Sequence, residues 1–286
     1  MTDSARSVLI TGCSSGIGYA TALGLKERGY RVFATARKPD DVMRLRGEGL
    51  EASLLDVTSS TSIRQCVEHV LETTGGELYG LFNNAGYGQP GAVEDLSRAA
   101  LREQLETNLL GAHELARTVL PPMRAAGRGR IIQNSSVLGM ITLPYRGAYC
   151  ASKFALEGLT DTLRLELRGS GVHVSIVEPG PIRSAFRENA LRAYRQHIDP
   201  EASAHRETYA AVERRLTAGG DASFTLPPEA VLKKVVKALE ARRPKPRYYV
   251  TFPTHLFGFL RRVLPYRTLD RVLLASTADE RRTEKT

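Results

Sequence analysis

Tyr149 and Lys153 stand four residues apart in Tyr149-Cys150-Ala151-Ser152-Lys153, inside a stretch with helical spacing. That spacing puts both side chains on one helix face. A nearby ammonium favours phenolate over phenol and draws a tyrosine pKa down towards neutrality. A tyrosine tuned in that way serves as general acid or base on a carbonyl or alcohol oxygen. Ser136 stands thirteen residues before the tyrosine, just past a strand pattern, and is placed to hydrogen-bond the same oxygen. Taken alone, a Tyr-x-x-x-Lys pair is usually a solvated helix face, so it needs company before it means chemistry.

A second constellation lies near the start. The apolar run Ser7–Thr11 ends in Thr11-Gly12-Cys13-Ser14-Ser15-Gly16-Ile17-Gly18 and passes at once into a helical pattern. Glycines permit such a turn and let the backbone approach a pyrophosphate. The helix N-terminus then supplies unpaired N–H groups and a positive dipole end. The spacing G-x-x-x-G-x-G differs from the G-x-G-x-x-G of many nucleotide folds, and a tight turn without a ligand is the plain alternative. The next strand runs through Ala34-Thr35-Ala36 to Arg37 and Lys38. In a doubly wound sheet this end meets the adenosine ribose. A guanidinium there suits a 2′-phosphate, which it grips with two hydrogen bonds. Arg37 therefore favours NADP(H) over NAD(H), with a solvated surface charge pair as the alternative. Pro39 is expected to turn Asp40 and Asp41 away.

The elements that must position these groups alternate along the chain. Strands are expected at 7–11, 31–35, 51–55, 78–82, 130–134, 172–177 and 247–251. Helices are expected at 17–28, 61–73, 99–123, 148–168 and 228–241. The polar stretch from the turn Glu178-Pro179-Gly180-Pro181 to about Gly220 is expected to be helical in part. Strand–helix alternation implies a parallel sheet covered on both faces by right-handed crossovers. Ligands collect at the carboxyl edge of such sheets.

Composition sets the outer bounds. The 286 residues are 42% hydrophobic and 25% charged, which excludes a disordered or collagen-like chain. The formal charge is +9. Residues 242–286 hold eleven Lys/Arg against four Asp/Glu, so the body of the chain is nearly neutral. A nucleic-acid-binding domain is disfavoured, because counterion release needs a basic face on the folded body. Cys13, Cys66 and Cys150 are odd in number and fit no metal pattern, as expected for free thiols in a reducing compartment. No signal-peptide order and no apolar run near the ~18 residues of a spanning helix is read. A cytoplasmic protein, soluble or peripherally attached, is expected.

The constellations together resemble the short-chain dehydrogenase/reductase family. The turn T-G-x-x-x-G-x-G is met by Thr11, Gly12, Gly16 and Gly18, and N-N-A-G by Asn83 to Gly86. Asp56, followed by Val57, matches the family's adenine-pocket aspartate. Asn108, Ser136, Tyr149 and Lys153 match its catalytic positions, and Pro179-Gly180 its P-G turn. The likeness spans roughly residues 6–250, with no departure at a catalytic position. It implies an α/β fold with a single Rossmann-type doubly wound parallel sheet of about seven strands, and a C-terminal helical extension. Residues 1–252 would form the catalytic and cofactor-binding domain, and 253–286 a basic amphipathic extension.

The resemblance also implies roles. Tyr149 would donate a proton to a carbonyl oxygen that Ser136 orients, while hydride passes from the nicotinamide. Lys153 would hold the ribose hydroxyls and depress the tyrosine pKa. Asn108 would hold a water linking Lys153 to solvent. Ser14, Ser15 and Ile17 would line the pyrophosphate turn, Asn83, Ala85 and Gly86 would lie by the ribose, with Asn84 also among the cofactor-binding residues, and Ile182 and Ser184 would face the carboxamide. The segments around Tyr149, Ala34–Arg37 and Glu178–Pro181 look like the steroid and retinol dehydrogenase branch, which handles bulky apolar alcohols, ketones and aldehydes and commonly prefers NADP(H). Phe186, Tyr194, Tyr209 and Phe224 are enough to line an apolar pocket, though ordinary loop packing accounts for them equally well. The family is usually dimeric or tetrameric, and the C-terminal extension could block one of those interfaces, so a homodimer is expected.

Residues 253–275 mix leucines and phenylalanines with Arg261, Arg262, Arg267 and Arg271. One reading is helices packed over the pocket or sheet edge. The other is a membrane-surface segment. A nucleotide sensor or scaffold without turnover is the alternative function, since fold does not fix function. The complete Asn108, Ser136, Tyr149, Lys153 set favours the enzyme.

Overall fold

The computed structural model describes residues 6–218 and 220–278. Short apolar runs form the strands β1 (Ser7–Ile10), β2 (Arg31–Ala36), β3 (Glu51–Leu54), β4 (Gly80–Asn83), β5 (Gly129–Asn134), β6 (Val172–Glu178) and β7 (Arg247–Tyr249). All pair in parallel, in one sheet of order β3-β2-β1-β4-β5-β6-β7. The order reverses between β1 and β4, which opens a crevice at their carboxyl ends.

Helices α1 (Gly16–Glu27), α2 (Pro39–Gly47) and α9 (Glu229–Glu240) cover one face. Helices α3 (Ser60–Thr73), α5 (Gly111–Ala125) and α6 (Gly147–Glu166) cover the other. Alternation along β1 divides its side chains between the two layers. Val8 and Ile10 meet Leu25, Val231 and Val235, while Leu9 meets Ile63, Val67, Leu115 and Val119. Each such side chain, fully buried, contributes ~1.5–3 kcal/mol.

Two stretches differ from the sequence expectation. Pro39–Gly47, to which the sequence reading gave no element, is a helix with Pro39 in its first turn and Asp40 and Asp41 beside it. Proline lacks only an N–H that has no partner there, and acids complement the helix N-terminus. The helix expected over 99–123 is instead α4 (Arg98–Leu105), a wider π turn at Glu106–Leu110, and α5. Ser97 Oγ starts α4 by accepting the Ala100 N–H at 3.1 Å.

The stretch after β6 folds into α7 (Phe186–His197) and α8 (Arg206–Thr217). There Tyr194 and Tyr209 are core residues packed with Ile198 and Val212. The chain ends in α10 (Phe252–Val263) and α11 (Tyr266–Ser276). The charged residues Asp279 to Lys285 of the basic extension lie outside the described residues. Cys13, Cys66 and Cys150 are buried and unpaired. Among the described residues no helix is long and apolar enough to cross a membrane.

Candidate active site

The glycine turn is locked to the sheet by Thr11 and Asn84. Thr11 Oγ1 accepts the backbone N–H groups of Asn84 and Ala85, both at 2.9 Å. Asn84 Nδ2 donates back to the carbonyls of Thr11 and Gly12 at 2.9 and 3.1 Å. Gly12 has φ +70°, and a Cβ on Gly18 would lie 2.2 Å from the Gly12 carbonyl oxygen. Both positions therefore require glycine. At the head of α1, the Ser15 side chain caps nothing and no acid stands in the first turn. The first N–H groups of the helix are left to face an anion. This uncapped glycine cradle fits the pyrophosphate of a dinucleotide.

A cavity of about 1320 Å³ runs along the carboxyl edge of the sheet from this cradle. Gly12, Ser14, Ser15, Gly16 and Ile17 form one end. Arg37 and Val57 stand beyond the ends of β2 and β3, and Asn84, Ala85 and Gly86 follow β4. Pro179, Gly180, Ile182 and Ser184 form the side after β6. Ser136, Tyr149 and Lys153 make the wall between. Three expected site residues are not on the cavity surface. Gly18 packs the turn from behind. Asp56 commits Oδ1 to the Thr58 N–H and hydroxyl at 2.9 and 2.8 Å, and Leu55, Val57 and Thr58 line the cavity in its place.

Asn108, the third, sits in the π turn and is buried. Its Nδ2 donates to the Tyr87 carbonyl at 2.8 Å and to Ser152 Oγ at 3.2 Å, and its Oδ1 accepts the Tyr87 N–H at 3.1 Å. Both side-chain donors are thus occupied. The side chain thus clamps the Tyr87 loop to α6.

The Ser–Tyr–Lys wall is made by the first turns of α6 meeting the loop after β5. Val137 N donates to the Pro179 carbonyl at 2.7 Å, and Ser136 Oγ accepts the Leu138 N–H at 3.1 Å. Lys153 is buried, and its Nζ donates to the Asn134 carbonyl at 2.7 Å. Nζ lies 5.7 Å from the centroid of the Tyr149 ring. Burial pushes the Tyr149 phenol up to about 12, against the pull of its hydrogen bond with Ser136. Burial lowers Lys153 to about 8, with Glu157 opposing. The near-neutral tyrosine expected from the Tyr–Lys spacing is therefore corrected. The ammonium is turned to Asn134 rather than to the phenol oxygen, so desolvation dominates.

Residues that the sequence reading did not single out support this wall. Glu157, one turn past Lys153, accepts Ser135 Oγ at 2.7 Å on Oε1 and Arg247 Nη1 at 2.6 Å on Oε2. The same guanidinium reaches Glu178 Oε1 and Asp161 Oδ2, each at 2.6 Å. Burial pushes Glu178 up to about 8, the Glu157 charge adds to the rise, and Arg247 opposes it. The i, i+4 spacing from Lys153 to Glu157 was a readable signal. Nothing local marked Arg247. Of the loop aromatics, Phe186 lines the cavity and meets the Tyr149 ring edge-on, centroids 5.4 Å apart. Phe224 instead stacks on Phe252 at 5.3 Å.

A parallel sheet with a glycine cradle and a Ser–Tyr–Lys wall at its crevice defines a dinucleotide-type oxidoreductase site. Residues 6–195 match the short chain dehydrogenase family, and the chain belongs to that family of oxidoreductases. It is 46% identical over 268 residues to an uncharacterized oxidoreductase, YbbO, of Escherichia coli strain K12, covering 94% of each chain. It is 37% identical to retinol dehydrogenase 8 of Bos taurus, covering 85% of this chain and 81% of that one. A short chain dehydrogenase/reductase of Burkholderia phymatum, solved in complex with NAD, is 25% identical with a TM-score of 0.76, over 100% of this chain and 99% of that one.

Proposed function

We propose that the chain is an NADP(H)-dependent oxidoreductase acting on a hydrophobic alcohol or carbonyl compound, such as an aldehyde, a ketone, or a steroid- or retinoid-like molecule. The observation that carries this is the single cavity joining the uncapped cradle to Ser136, Tyr149 and Lys153. The bound dinucleotide supplies or takes up the hydride. In the reducing direction Tyr149 donates its hydroxyl proton to the substrate oxygen, and Ser136 orients that oxygen. Lys153, which lines the cavity beside them, holds the ribose hydroxyls. Gly86, Ala85 and Asn84 flank the same ribose, Val57 the adenine, and Ile182 and Ser184 the carboxamide. Asn108 acts from behind by fixing the Tyr87 loop. Arg37, exposed at the end of β2 and facing the cavity, supports a 2′-phosphate. Phe186 and the likeness to a retinol dehydrogenase support a bulky apolar substrate.

The protein is further proposed to be cytoplasmic and homodimeric. Leu101 and Leu110 on the α4–α5 stretch, and Leu159 and Leu165 on α6, are exposed apolar side chains suited to such a contact. The test of function is an NADPH oxidation screen over steroid ketones, retinal, long-chain aldehydes and small carbonyls. Turnover with bulky apolar carbonyls, faster with NADPH than NADH, is expected. NADPH binding without turnover on any of them would instead mark a nucleotide sensor. Arg37→Ala should weaken NADPH binding by about tenfold or more, as for a lost charge-assisted bond, and leave NADH binding unchanged.

A further inference from the structure

Helices α10 and α11 use one side to cover the catalytic loop. Phe257, Leu260, Leu269 and Leu273 join the cluster of Leu138, Ile141 and Cys150. That is the packing role open to the extension. It leaves the opposite side of α10 unexplained. Phe252, Leu256, Phe259 and Val263 recur at intervals of four, three and four residues, and all four are exposed, Phe259 by 61%. Those four form an apolar stripe along α10 turned to solvent. Tyr266, at the head of α11, is 87% exposed. The stripe begins at the cavity rim, because Phe224 stacks on Phe252 and its neighbours Ala222 and Thr225 line the cavity.

The charge around the stripe has one sign. Between residues 252 and 278 the chain carries Arg261, Arg262, Arg267 and Arg271 against the single acid Asp270. Arg261 turns back over the Phe154 ring at 5.2 Å. Arg262 is held by the Gly258 carbonyl at 2.8 Å and the Tyr249 hydroxyl at 3.2 Å. Arg267 and Arg271 are exposed.

We propose that this face of α10, together with Phe224, is a docking surface for an anionic lipid bilayer. Three occupants compete for it, and the residues decide between them. Residues 279–286 contain no apolar side chain with which to cover the stripe. A second copy related by a two-fold axis would bring the patch carrying Arg262, Arg267 and Arg271 against the same patch, with one Asp270 on each side to answer the arginines. An acidic headgroup layer above hydrocarbon satisfies both the stripe and the arginines. Docked in this way, the rim at Phe224 faces the membrane, where a lipophilic substrate would partition. That last consequence rests on the proposed function; the docking itself does not.

The test spins full-length protein with vesicles of phosphatidylcholine alone and of phosphatidylcholine mixed with phosphatidylglycerol. The protein should sediment with the mixed vesicles and much less with the neutral ones, and salt should release it. Leu256→Ser/Phe259→Ser and Arg267→Glu/Arg271→Glu should each lower the bound fraction about tenfold or more, through lost apolar burial and lost charge respectively. These side chains are exposed, so unchanged circular dichroism and unchanged NADPH binding should accompany the loss. Failure of the unaltered protein to sediment, or sedimentation of both variants like the parent, overturns the proposal. So does a change of oligomeric mass in Leu256→Ser/Phe259→Ser with vesicle binding intact, which would make the face a contact between copies. Truncation is the wrong tool, because it also strips the cover from Leu138 and Ile141. No arm reads turnover, so a failed carbonyl screen and a failed docking test remain distinct results.

Discussion

Lys153 donates to the main-chain carbonyl of Asn134 at 2.7 Å, and that bond joins the reactive wall to the cofactor cradle. The connection continues from Asn134 Nδ2 to Asn84 Oδ1 at 2.9 Å, and from Asn84 Nδ2 to the Gly12 carbonyl at 3.1 Å. A lysine on α6 and a glycine after β1 are thus held in one frame by two asparagines.

Asn134→Ala cuts this frame in the middle. Asn84 Oδ1 loses its partner, whereas the carbonyl that receives Lys153 survives. We expect a stability loss of ~1–3 kcal/mol, the usual penalty for an orphaned polar group. Dinucleotide affinity should fall several-fold, and turnover at saturation less. Denaturant titration and fluorescence titration with NADPH check the two parts.

Tyr149→Phe keeps the ring and its contact with Phe186 but removes the proton donor. Turnover should fall by ~10²–10⁴-fold, the range for a lost general acid. NADPH affinity should stay as it was. Full turnover in the variant would discard the assigned role.

The pH profile should report Lys153, not Tyr149. The phenol stays protonated up to about 12, so it remains a donor across the working range. The lysine loses its proton near 8. For carbonyl reduction, kcat/KM should be level below that pH and fall above it. Glu157 is the group that supports the charged lysine. Glu157→Gln should therefore move the falling limb to lower pH in a steady-state profile.

Glu178 predicts a pH dependence of stability. Its pKa rises from 4.5 to about 8 on folding. Between those values the native state holds a proton that the unfolded chain has released, so stability falls as pH rises through the window. Glu178→Gln cannot ionise and should show a level melting temperature where the parent declines. The divergence should be on the order of a few kcal/mol, read by calorimetry at several pH values.

The parts legible in the sequence share one physical cause. Strands buried on both faces are largely apolar, so β1 and β2 stand out as runs, and glycine is forced at Gly12 and Gly18 by close approach. Helix α2 escaped because Pro39-Asp40-Asp41 signals a turn as readily as a helix start. The π turn around Asn108 escaped because one widened turn barely disturbs the apolar spacing of α4 and α5. The raised Tyr149 pKa is not legible in the sequence, because spacing shows which face a lysine shares, not which carbonyl captures its ammonium. Phe186 and Phe224 are alike in sequence; only the path of the loop sends one to Tyr149 and the other to Phe252.

The three buried thiols carry a practical consequence. Burial holds Cys13 and Cys150 above the ordinary thiol range and pushes Cys66 up to about 11, so little reactive thiolate forms near neutral pH. A maleimide dye should leave the native protein unlabelled. A single cysteine placed at an exposed position such as Thr268 would then take the probe alone. The chain is, in effect, already prepared for site-specific fluorescence without first deleting its own cysteines.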